Sequence, residues 1–82
     1  MNRIIPLELM AQGEEGLVFD LDGEPDMVTR LKEMGLREGT RIRMLLPGKP
    51  CILVVGEHRL SYRGDETATV LVEVEAQQET GN

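Results

Sequence analysis

The sequence predicts a mainly β fold: a small, closed or nearly closed barrel of five short strands, with one short α-helix inserted between strands 1 and 2. Three observations carry that reading. Five short runs of β-branched and aliphatic residues are separated by turns bearing glycine or proline. A single stretch, around residues 25–34, has helical spacing instead. With 82 residues there is no room for a second layer, and closure removes sheet edges that would otherwise pair with other chains.

Taken in order, residues 6–12 (PLELMAQ) suit a short helical turn leading into a turn at Gly13, Glu14, Glu15 and Gly16. Residues 17–21 read as the first strand and 22–24 as its turn. In the helix that follows, Met27, Val28, Leu31 and Met34 recur on one face while Arg30, Lys32 and Glu33 fall between them. Pro25 suits its first turn, where the missing N–H costs nothing. Gly35 stands where a helix stop needs a left-handed backbone, with Leu36 placed to pack back on Leu31. Residues 40–46 form the second strand, Ile42, Met44 and Leu46 alternating with Arg41 and Arg43. Pro47, Gly48, Lys49 and Pro50 make a tight connection to the third strand, 51–55. Gly56 and Glu57 read as a hairpin turn into the fourth, 58–62. In the fifth, Ala68, Val70, Val72 and Val74 alternate with Thr69, Leu71, Glu73 and Glu75. One domain is expected over residues 1–75, with a polar, glycine-ended, disordered tail at 76–82.

Composition narrows the function. A single cysteine excludes an internal disulfide and fits a reducing compartment. No run approaches the ~20 apolar residues of a membrane span, and the N-terminus lacks a signal-peptide core, so a soluble cytoplasmic domain is expected. The net charge of −6 is unevenly distributed: residues 1–26 carry seven acids against Arg3, residues 27–63 eight bases against three acids, and residues 64–82 five acids and no base. The basic middle either offers a face to an acidic partner or is neutralised within the folded chain. One His, one Cys and no converging serine–histidine or carboxylate set argue against an enzyme. Phe19 and Tyr62 are too few aromatics for a polyproline groove or for stacking nucleic acid bases.

The elements PLELMAQGEEGLV (6–18), RLKEMGLREGTRIRM (30–44) and HRLSYRGDETATVLVE (58–73) resemble the FeoA family, the small cytoplasmic component of bacterial ferrous iron uptake systems. The resemblance implies an SH3-like barrel that acts with the membrane transporter FeoB, whose cytosolic part includes a GTP-hydrolysing domain. It extends to the C-terminal SH3-like domain of iron-dependent repressors, although no preceding DNA-binding part is expected for this chain. Relatives carry a longer loop with Gly-Asp-Pro before the third strand; here Gly48, Lys49 and Pro50 arrive sooner, with a base in place of the carboxylate.

In an iron-linked family Cys51 and His58 are the candidate metal ligands, on adjacent strands joined by a short turn. Two ligands are too few for a tight site, so weak transition-metal binding is the most they imply, and no cofactor is required. A metal-sensing or regulatory SH3-like domain is the alternative function. The main expectation is protein docking. Cys51, Leu53 and Val55 are expected to face inward, leaving Ile52 and Val54 outward as an apolar strip beside Leu45 or Leu46. Arg41, Arg43, Arg59 and Arg63 would rim it, Lys49 would stand where relatives have the carboxylate, and Arg30, Lys32 and Arg37 would mark its edge. Self-association through the strip is a further outcome. The competing expectation is that the helix covers this face, Val28, Leu31 and Met34 burying Ile52 and Val54.

Overall fold

Six strands, not five, form one antiparallel sheet in the computed structural model, which describes residues 2–64 and 66–75; the tail at 76–82 lies outside the described residues. They are β1 (Arg3–Pro6), β2 (Glu15–Gly23), β3 (Arg41–Leu46), β4 (Cys51–Val55), β5 (His58–Tyr62) and β6 (Ala68–Val74). A single 3-10 turn (Leu7–Leu9) follows β1, and the helix α1 (Pro25–Glu33) joins β2 to β3. Strand order is β1-β6-β2-β3-β4-β5.

The added strand is β1. Only four residues long and ending in proline, it lacks the length to stand out in sequence, yet it pairs along β6 from Arg3↔Val74 to Pro6↔Leu71. Proline is tolerated there because β1 is an edge strand. The six strands form an open sheet, and β1 stands where the expected five-stranded barrel would have closed. Closure of the five remaining strands would join β5 to the outer edge of β6, and β1 occupies that edge.

The first expected strand is longer than its apolar run. β2 begins at Glu15 and continues through Asp22 and Gly23, which pair with Thr69 and Ala68, so these two residues are strand rather than turn. Gly16, expected in a turn, is buried inside β2: a Cβ there would lie 2.6 Å from the Glu73 carbonyl oxygen and 2.7 Å from Val72 Cγ1. Register shifts between Val18 and Asp20, and between Met44 and Leu46, leave Phe19 and Leu45 as bulge residues. Such bulges bend a strand and increase its twist, curving the sheet around one core. Leu7, Leu36, Met44, Leu53, Val70, Val72 and Val74 are fully buried there.

α1 closes as its sequence requires. Pro25 opens it, and at its end the Leu36 N–H donates to Leu31 O (3.0 Å) and the Gly35 N–H to Lys32 O (3.0 Å), the paired bonds of a Schellman stop. Gly35 has φ +104°. Leu31 is buried and Met27 and Val28 half-buried against the core, but Met34, expected on the same face, is exposed.

Candidate functional site

The hairpin β4–β5 and its neighbour β3 carry the outward strip. Alternation along β4 buries Cys51, Leu53 and Val55 and turns Ile52 and Val54 outward, where both are half-buried. Register then sets their neighbours. Val54 lies between Arg43 of β3 and Arg59 of β5, and Ile52 between Leu46 and Ser61. The bulge at Leu45 brings both Leu45 and Leu46 to the surface beside Ile52, Leu46 being 55% exposed. A shallow, mainly apolar concavity results, lined by Leu45, Leu46, Ile52, Leu60, Ser61 and Arg59. A second, two residues further along β4, is lined by Val54, Ile42 and Gly56 with Arg41, Arg43 and Glu15.

α1 does not cover this strip. Its stop lies over the inward side of β4, where a Cβ on Gly35 would stand 3.3 Å from Val55 Cγ1, and the buried Leu31 belongs to the core. Ile52 and Val54 line open surface.

The expected basic residues are dispersed: Arg59 lines the first concavity, and Arg63 is exposed just past the end of β5. Arg41 and Arg43 line the second concavity, Arg41 through an ion pair with Glu15 (3.4 Å). Lys49, exposed in the β3–β4 connection, shares another concavity with Glu8, Gly64, Glu66 and Thr69. Arg30, Lys32 and Arg37 line none of these. Lys32 pairs with Glu38 (3.9 Å) and the Arg37 Nε donates to the Lys32 carbonyl (3.1 Å), so these two help close the helix end. Neither Arg43 nor Arg59 has an ion pair among the described residues. Leu60, Ser61 and Glu15 were not anticipated at the strip. The two-residue Gly56-Glu57 turn carried the signal for the first two, since it fixes the β4–β5 register.

That register separates the metal candidates. Cys51 pairs with Tyr62 and His58 with Val55, at opposite ends of the hairpin. Four residues of strand place them about 13 Å apart, and Cys51 is buried whereas His58 is exposed. The adjacency expected from the short turn is therefore corrected, because the turn joins His58 to Val55 and not to Cys51. Burial pushes the Cys51 thiol up, a backbone hydrogen bond opposes this and the Glu8 charge adds to it. Among the described residues no three His, Cys, Asp or Glu side chains converge to hold a metal, and no helix is long and apolar enough to cross a membrane.

The fold has solved relatives. One is the crystal structure of a protein titled iron uptake regulatory protein (FeoA), with a TM-score of 0.81 and 28% identity over 89% of this chain and 100% of that one. Another is the solution structure of FeoA protein from Chlorobium tepidum, with a TM-score of 0.76 and 24% identity over 93% of this chain and 75% of that one. No curated protein sequence matches significantly. The FeoA domain model matches residues 5–74, from within β1 to the last residue of β6, and the chain belongs to the FeoA family.

Proposed function

We propose that this chain is a cytoplasmic, non-enzymatic accessory protein of ferrous iron uptake that docks on a FeoB-like membrane GTPase transporter. Docking on the cytosolic side of the transporter would let it influence GTP hydrolysis or assembly. Family membership supplies the link to ferrous iron transport, and one observation carries the docking: Leu46, Ile52 and Val54 form an apolar strip that α1 leaves open, beside two arginines, Arg43 and Arg59, that make no ion pair among the described residues. An apolar centre with a polar, cationic rim is the anatomy of a protein interface. Iron in this reading is the transporter's cargo, and the chain itself requires no cofactor.

The test is a titration of the full chain with the transporter's cytosolic domain at low salt, repeated at high salt. Saturable binding that weakens as salt screens the rim supports the reading. Absence of binding at low salt contradicts it.

A further inference from the structure

The strip ends at an open sheet edge. Among the described residues β5 pairs with β4 alone. Gly56, with φ +62°, takes the first central position of the hairpin turn, and among the described residues none but glycine has positive φ, so Glu57 does not, which is the pattern of a type II′ turn. Such a turn makes Val55↔His58 a hydrogen-bonded pair, and the alternation of an antiparallel ladder then directs the main-chain groups of His58, Leu60 and Tyr62 toward β4. Those of Arg59 and Ser61 point away, to the free edge. Neither residue donates its N–H elsewhere in the turns and loops of the described residues.

The same two residues line the apolar concavity. A strand added along β5 would therefore carry the outward row Leu46–Ile52–Ser61 one position further, and likewise the row Arg43–Val54–Arg59. Its requirements follow from those rows: an aliphatic side chain beside Ser61, over Ile52, and two residues away a carboxylate beside Arg59. Charge agrees, because residues 41–63 hold five Lys and Arg against one acid, Glu57, within a chain of net charge −6. A second copy paired edge to edge through β5 would set this basic row, Arg59 with Arg63 just beyond, against the same bases, which makes it a poorer occupant than an acidic–aliphatic segment of a partner.

Resting on the docking reading above, we propose that the β5 edge binds an extended segment of the transporter's cytosolic part by strand addition, with alternate aliphatic and carboxylate side chains meeting Ile52 and Arg59. Main-chain bonds to Arg59 and Ser61 supply the affinity, and the two rows select the sequence.

The experiment follows amide exchange in the isotope-labelled full chain, alone and with the transporter's cytosolic domain. The Arg59 and Ser61 amides exchange freely in the chain alone and become protected in the complex. Ser61→Pro, which removes one outward N–H at an edge where proline is tolerated, weakens binding about tenfold or more while Ser61→Ala does not. A complex in which both amides exchange as in the free chain overturns strand addition and leaves docking standing. Concentration-dependent protection in the chain alone assigns the edge to a second copy and overturns it too. No complex at all removes both readings. If Ser61→Pro fails to fold, the exchange pattern of the unsubstituted chain decides.

Discussion

Gly35 ends α1 through its backbone. It has positive φ, its N–H and that of Leu36 close the helix, and a Cβ would crowd Val55 Cγ1 at 3.3 Å. Gly35→Ala is expected to lower stability by about 1–2 kcal/mol, the cost of a left-handed backbone in a residue with a side chain, as read from a shifted urea midpoint. This residue was fully legible in the sequence, because a helix stop is a local device and all its parts lie within six positions. Cys51 was only half legible. Its inward direction followed from alternation, but its distance from His58 depends on cross-strand register. Because burial raises the thiol's pKa, the folded state holds the proton more tightly than the unfolded chain does. That contribution to stability is complete below the ordinary thiol value of about 8.5 and is lost as pH rises through the raised folded value. Between neutral pH and pH about 10 the unsubstituted chain should therefore lose more stability than Cys51→Ala, measured by denaturant midpoints at each pH.

At the scale of elements, the five apolar strands were legible and their limits less so. β2 extends past its apolar run on both sides because β6 supplies partners for Gly16, Asp22 and Gly23, a reason that no local pattern contains. β1 was missed for the same kind of reason: four residues ending in proline become a strand only because the edge of β6 is there to receive them. The bulge at Leu45 was equally silent in sequence, yet it brings two leucines to the surface beside Ile52. The role assigned to β1 predicts the effect of its removal. A chain lacking residues 1–6 uncovers the outer edge of β6 and should be less stable and self-associate with rising concentration, as followed by light scattering. An unchanged midpoint and mass would show that β1 protects nothing.

Over the whole molecule, an open sheet and an uneven charge distribution give the two faces different duties. The inner face holds the core and α1, with Leu31 and Leu36 reaching into it. Among the described residues no element packs over the outer face of β3, β4 and β5. Part of the basic middle is neutralised within the chain, Arg41 by Glu15 and Lys32 by Glu38, whereas Arg43 and Arg59, beside Val54, make no ion pair among the described residues. The helix end therefore belongs to architecture, and the strip carries the proposed docking. Binding of Ile52→Glu to the transporter's cytosolic domain at low salt, with its thermal unfolding measured alongside, tests this most directly. If the strip is the docking site, the variant folds, within about 1 kcal/mol of the unsubstituted chain, and its affinity falls at least tenfold or so. A folded variant that binds as tightly as the unsubstituted chain would contradict it.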